Sequence, residues 1–358
     1  MSDSLEVNFK TGAITPNGIP IAPFFWLADT GACGHYRCAQ PAQSLARQFD
    51  MQVEVGSTNS MPYSILVAQR THKEDCVSEL AKVKMLRNGQ AIPKIVYELD
   101  DDLWSIEKDN PGYDYYTSNN VLDHAVRAIE ISDAVIVSTE PLAQIVRQYN
   151  ANVTVAPNSI NRKYLNPLRY KYTTGSVNKP FVLGWSGSAT HKEDFMQLVP
   201  ALNVFLKFNP NTRMVFFGTD YSHLLDSSVH ELCRTAPWTK TVGEYLELLS
   251  GAQIDVMLAP LAPTKFNESK SNLRIIEANA LGIPVIATDF GPYGADFSPG
   301  STLVQPGESW MQSLISMQSS SIARASMGAA GRMWVEANYV QEDNAKIWMS
   351  AFVDVLDA

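Results

Sequence analysis

Lys270, Ser271 and Glu277 sit close together in the run N-E-S-K-S-N-L-R-I-I-E-A-N-A-L-G-I-P-V-I-A-T-D, which begins at Asn267. An ammonium, a hydroxyl and a carboxylate so spaced suit a ligand with an anionic end and a polyhydroxylated end. The run predicts a helix from about Ser271 to Leu281, because Leu273, Ile276, Ala280 and Leu281 fall on one face. Gly282 supplies a left-handed stop, and Pro284 keeps the helix from continuing. Lys270 and Glu277 then share one side of the helix, roughly 10 Å apart along its axis. Free N–H groups and the positive dipole end beside Lys270 suit a phosphate. Glu277 stands among apolar positions and needs hydrogen-bonding partners there. A diphosphate at the helix start with a ribose on Glu277 fits this spacing. So does a plain amphipathic helix with Lys270 in solvent and Glu277 paired to Arg274. Spacing alone leaves both open.

Three further stretches place chemistry at strand ends. Ile21 to Asp29 reads as a strand, followed by T-G-A-C-G-H-Y-R-C and a helix carrying Leu45, Ala46 and Phe49. Phe181 to Trp185 reads as a strand, followed by Ser186-Gly187-Ser188-Ala189-Thr190-His191 and a helix from about Asp194 to Phe208. Strand, small-residue loop and helix start is the layout that lets backbone N–H groups approach a charged ligand. The G-x-G-x-x-G fingerprint is absent from the first loop, and Gly31 with Gly34 alone is weak evidence. Lys94 to Leu99 is a third strand, ending in Asp100-Asp101-Asp102. Three adjacent carboxylates cannot all face one site without a cation or hydrogen bonds. A D-x-D metal site, binding of a ligand hydroxyl by Asp100 or Asp101, and a solvated turn capping the next helix all remain open. Tyr113, Tyr115 and Tyr116 follow in an aromatic, turn-rich loop suited either to stacking on a ligand or to surface packing.

The run N-x-x-K-S-x-L-R-x-x-E-A-x-A-x-G-I-P-V-I-A-T-D resembles the donor-site motif of retaining GT-B glycosyltransferases, the large family 4 group. The resemblance implies that Glu277 binds the donor ribose and that Lys270, with Ser271, binds the donor phosphates. The family's usual first glutamate falls at position 269, where this chain has Ser269. The first loop is similar to a Gly-rich turn followed by an arginine in the same family. This implies that Gly34, His35, Tyr36 and Arg37 approach the donor phosphate or the acceptor. The segment W-S-G-S-x-x-H-x-x-D also resembles one found in family members. It implies a diphosphate loop of Ser186, Gly187, Ser188 and Thr190, with His191 or Lys192 as its basic contact. Y-E-L-D-D-D-L-W resembles a further family segment, and Asp100 or Asp101 is implied to orient the acceptor hydroxyl. Asp100, Asp101 and His35 are thus the expected catalytic residues. Pro157-Asn158-Ser159-Ile160-Asn161 is similar to the turn that ends the family's first domain. The implied chemistry is retaining transfer from a nucleotide-sugar co-substrate, with no cofactor and no required metal. The acceptor is left open among glycan, protein and modified nucleobase.

The surrounding elements must hold these groups. Strands and helices alternate through both halves, which argues for α/β architecture with parallel, doubly wound sheets. At 358 residues the chain is long enough for two cores. The expected organisation is two Rossmann-like domains facing a cleft. Residues 1–165 form the acceptor domain and 176–340 the donor domain, with a polar link at 162–180. By the resemblance, a helix in 341–358 crosses back to the first domain. A composition of 45% hydrophobic and 18% charged residues is that of an ordinary globular protein. The net charge of −9 argues against a generic polyanion binder. No signal peptide and no apolar run of about 18 residues is visible, so no membrane insertion is expected. The few, irregular cysteines, Cys33, Cys38, Cys76 and Cys233, fit reduced thiols in a cytoplasmic setting. Cys33, His35 and Cys38 fit no familiar zinc spacing.

Overall fold

The structure is a computed structural model and describes residues 12–58, 61–87, 92–118, 120–165 and 179–358. Most of the polar link expected at 162–180 lies outside them. The chain forms two compact units. One comprises Met1–Ile106, Tyr113–Asn158 and Gln341–Ala358, and the other Glu107–Gly112 and Ser159–Val340.

The first unit is built on a six-stranded sheet. Its strands are β1 (Pro23–Trp26), β2 (Glu54–Gly56), β3 (Ile65–Gln69), β4 (Lys94–Leu99), β5 (Ala134–Val137) and β6 (Val153–Val155), in the order β2-β1-β3-β4-β5-β6. All pairings are parallel. Successive side chains point to opposite faces. Ile65 and Val67 therefore pack with Phe25, Leu45 and Trp348, while Leu66 and Ala68 pack with Leu80, Tyr97 and Ile129. Both faces are covered, which is why these strands read as continuous apolar runs. The C-terminal helix, Gln341–Asp357, belongs to this unit and inserts Trp348, Phe352 and Val355 into its core. The Trp348 ring lies 5.6 Å from that of Phe25.

The second unit repeats the plan. Its strands are β7 (Phe181–Gly187), β8 (Thr212–Gly218), β9 (Cys233–Ala236), β10 (Val256–Ala259), β11 (Val285–Thr288) and β12 (Ser301–Val304), in the order β12-β11-β10-β7-β8-β9. These pairings are also parallel. β9 has no counterpart in the sequence reading, because a short edge strand with one buried side chain leaves no apolar run. The helix expected from Asp194 to Phe208 is two helices, Lys192–Met196 and Val199–Phe208. Pro200 opens the second, where its missing N–H costs nothing.

In each sheet the chain moves outward from its first strand and then returns to the other side. The reversals fall between β1 and β3, and between β7 and β10. Ligands of open parallel sheets collect at strand carboxyl ends beside such reversals. No helix among the described residues is long and apolar enough to cross a membrane.

Replacing Trp348 by Ala should cost about 3–5 kcal/mol. Denaturant titration should show the loss in the transition of the first unit. An unchanged midpoint would mean that the C-terminal helix contributes little to that core.

Candidate functional site

In the second unit, the segments leaving β7 and β10 are joined by one buried carboxylate. Asp194 Oδ1 accepts the Ala262 N–H at 2.7 Å and Asn267 Nδ2 at 2.9 Å. Its Oδ2 lies 2.8 Å from His191 Nδ1. Burial alone would raise the Asp194 pKa, but the His191 hydrogen bond, Arg274 and the Ala262 N–H hold it below the usual carboxylate range. Burial, then the nearby Arg274 and Lys270, push His191 down to about 4, although Asp194 pulls the other way. In the free protein His191 is therefore neutral at pH 7.

The permanent cations come from the segment after β10. The Arg274 guanidinium stacks over Trp185, 5.9 Å from the ring centroid. Its Nη1 is buried and has no hydrogen-bond acceptor among the described residues. Gly187 makes room for it: a Cβ there would lie 2.8 Å from the Trp185 ring and 3.0 Å from Arg274 Nη2. Arg274 also hydrogen-bonds Tyr293, whose phenol burial pushes up to about 12. Ser188 Oγ pairs with Thr190 Oγ1 at 2.7 Å, and Tyr221 donates to the carbonyls of Ser188 and Ala189, fixing the loop.

The helix after this loop starts later than the sequence suggested. Thr264 caps a short helix, Lys265–Glu268, and the second helix runs only from Leu273 to Ala280. Asn267, within the short helix, is held by Asp194 and by the Ala262 carbonyl. Lys270 and Ser271 therefore occupy the turn before the helix. The continuous two-turn path from Lys270 to Glu277 does not exist. Lys270 Nζ lies 4.3 Å from the Phe266 ring centroid, and its charge still reaches His191. Gly282 ends the helix at a φ of 73°, as its sequence position suggested. Glu277 is buried, with the Tyr245 hydroxyl 3.5 Å from its Oε2. Ser186 is also buried and hydrogen-bonds the same hydroxyl. His191, Lys270, Arg274 and Glu277 thus gather at the end of β7, beside the reversal with β10.

The first unit treats its similar-looking loop differently. The Gly31 N–H donates to Asp29 Oδ1 at 2.6 Å, and the Gly34 N–H reaches the same oxygen at 3.4 Å. A Cβ on Gly34 would lie 2.0 Å from the Asp29 carbonyl oxygen, so only glycine fits. The loop's own carboxylate thus accepts from two of the N–H groups that the turn offers. His35 is half-buried, edge-on to Tyr36. Arg37 does not reach the surface. Its Nε donates to Glu98 Oε1 at 2.6 Å, and its Nη1 donates to the Ala156 carbonyl at 2.7 Å and Asn158 Oδ1 at 3.1 Å. It is a strut between β4 and the end of β6, with Nη2 buried and without an acceptor among the described residues. Burial pushes Glu98 up to about 7 against the pull of Arg37.

Arg70, at the end of β3, divides the three aspartates. Its Nη1 lies 3.1 Å from Asp100 Oδ1 and 3.5 Å from Asp101 Oδ2, while its Nη2 donates to the Tyr116 hydroxyl. Asp102 turns away to cap the next turn through the Trp104 N–H. A guanidinium thus sits where the D-x-D reading would place a metal. No metal-holding group of three His, Cys, Asp or Glu occurs among the described residues. His72 Nε2 lies 3.2 Å from the Tyr115 hydroxyl, and the Tyr115 ring is 43% exposed.

Sequence reasoning singled out His191, Lys270, Ser271 and Glu277 but missed the roles of Asp194, Asn267, Tyr245 and Tyr293. It treated Arg274 only as a partner for Glu277. The H-x-x-D spacing of His191 and Asp194 was the available signal. The others depend on contacts distant in sequence.

No protein-family model matches this chain, and no curated protein matches it by sequence. Solved structures do match. HepE of Anabaena in complex with UDP superposes with a TM-score of 0.62 at 14% identity, covering 93% of this chain and 99% of its own. A glycosyltransferase of Rickettsia africae gives 0.62 at 12%, covering 94% and 99%. WaaG, a glycosyltransferase involved in lipopolysaccharide biosynthesis, gives 0.57 at 15%, covering 91% and 99%. The fold is GT-B. Within it, the reversal between β7 and β10 carries the basic cluster, and in the first unit Arg70 follows β3 and the aspartates follow β4.

Substituting Arg37 by Met should destabilise the first unit by about 3–5 kcal/mol, because Glu98 is left buried without its partner. Nucleotide-sugar binding by the folded variant should match the parent in calorimetry. A variant with parental stability that had lost binding would return Arg37 to the ligand site.

Proposed function

We propose that this chain is a retaining glycosyltransferase that moves a sugar from a nucleotide-sugar to an acceptor hydroxyl. One observation carries the reading: the buried, unpartnered Arg274 Nη1 beside Gly187. A guanidinium nitrogen left so in a folded protein is costly unless a ligand completes it. Lys270, His191 and the start of the Leu273–Ala280 helix add to the same anion site. Glu277, buried against Tyr245, supplies the carboxylate for a ribose hydroxyl.

The chemistry follows from the charges. Negative charge grows on the departing diphosphate as the glycosidic bond breaks. Arg274, Lys270 and the helix start stabilise that charge in a site already organised for it. The departing phosphate takes the acceptor's proton on the face it leaves, so the anomeric configuration is kept. Asp100 and Asp101, held by Arg70, orient the acceptor hydroxyl. The half-exposed Tyr115 offers a ring face for an acceptor. His35 remains a candidate catalytic contact of the first unit. The fixed cations supply the charge that a metal would otherwise supply, so the scheme requires none. The HepE structures of similar fold hold UDP and UDP-glucose, which makes uridine nucleotides the first donors to try. The free cysteines fit a cytoplasmic enzyme.

A thermal-shift panel of nucleotide-sugars should show one donor raising the melting temperature through mass action. Arg274→Ala, Lys270→Ala and Glu277→Ala should each weaken that donor by about tenfold or more, a loss of roughly 1.4 kcal/mol each. Slow release of free sugar would show turnover, and the anomer formed would report retention. Parental donor binding by all three variants would refute the site.

A further inference from the structure

We infer that Asp194 is a positioning residue, and that His191, held by it, binds the donor diphosphate together with a proton taken from solvent. The inference rests on the donor-site reading above. Asp194 Oδ1 is occupied by the Ala262 N–H and Asn267 Nδ2, and the carboxylate presents Oδ2 to His191 Nδ1. An ionised carboxylate only accepts, so the neutral imidazole carries its hydrogen on Nδ1. The lone pair is then on Nε2.

An imidazole lone pair repels a phosphate oxygen, whereas an imidazolium N–H binds one. The charges around His191 decide which is present. Arg274 and Lys270 face it from the segment after β10. Asp194 faces it from its own helix. The electrostatics of Asp194 also involve Arg274, and Tyr221 and Tyr293 feel both groups. Glu193 adds its charge near Tyr221. Without ligand, burial and the two cations keep the ring neutral. A diphosphate diester brings two negative charges to the same place and reverses the balance. The step moves one proton from solvent to Nε2 and changes no covalent bond. The complex then binds more protons than the free protein. Affinity therefore rises as pH falls through the bound-state pKa of His191, by up to about tenfold per pH unit. That gain stops near the free-state value of about 4.

Isothermal titration of the full chain with UDP-glucose tests this, with ADP-glucose and GDP-glucose run alongside. A diphosphate diester has no group of its own that titrates near neutrality. At pH 6.5, two buffers of different ionisation enthalpy should report uptake of about 0.5–1 proton per donor bound. His191→Gln should bind with no uptake and with an affinity independent of pH. Asp194→Asn should lose most of the uptake, and Asp194→Glu should restore part of it. Should Asp194→Asn fail to fold, His191→Gln alone decides. Binding without proton uptake, or equal uptake in His191→Gln, overturns the inference and leaves the donor site standing. Failure of all three nucleotide-sugars to bind overturns the donor-site reading, and the inference with it.

Discussion

The Asp194 carboxylate is the constraint on which the second unit's site depends. Two segments that leave neighbouring strands, β7 and β10, have no covalent reason to converge. Asp194 joins them by accepting from Ala262, Asn267 and His191 at once. The tie to Asn267 holds the short helix that precedes the one bearing Arg274 and Glu277. A buried carboxylate with three donors is well stabilised, and removing one donor leaves part of its charge uncompensated. The result is a basic cluster organised before any ligand arrives. That is the condition under which charge stabilisation contributes most to a transition state.

The two units share one plan and use it differently. Each has a strand, a small-residue turn and a helix start beside the reversal of its sheet. In the first unit Asp29 accepts from the turn's own N–H groups, and Arg37 is consumed inside the fold by Glu98, Ala156 and Asn158. In the second unit Asp194 is committed to joining two segments, and Arg274 stands over Trp185 near His191. A buried guanidinium nitrogen without an acceptor occurs in both units, Arg37 Nη2 and Arg274 Nη1. In the first unit Arg70 stands between two carboxylates, Asp100 and Asp101, a setting suited to hydroxyl groups. In the second, Asp194 is tied up by the chain's own donors, which leaves Arg274 and Lys270 as the cations beside His191.

Much of the fold was legible because both sheets are buried on both faces. Strands such as Lys94–Leu99 and Val285–Thr288 then read as apolar runs bounded by turn residues. Edge strand β9 escaped, because Cys233–Ala236 exposes most of its side chains. The helix bearing Glu277 was legible in its stop, Gly282, and in its start to within two residues, Leu273 against about Ser271. The short helix Lys265–Glu268 was not legible, because the polar stretch before Ser271 reads as a turn. The two arginines show a further limit. Arg37 and Arg274 each lie near a small-residue turn, and the partners that hold Arg37 in the fold, Glu98, Ala156 and Asn158, lie 61 to 121 residues away in sequence.

The most direct test is where a diphosphate sits. A crystal structure of the chain with a bound nucleoside diphosphate would locate both phosphates without reference to turnover or acceptor. The account predicts them at the carboxyl end of β7, with Arg274 Nη1 and the Gly187–Ser188 turn within hydrogen-bonding distance. Phosphates at the Gly31–Gly34 turn instead, with Asp29 displaced and Arg274 unchanged, would contradict it.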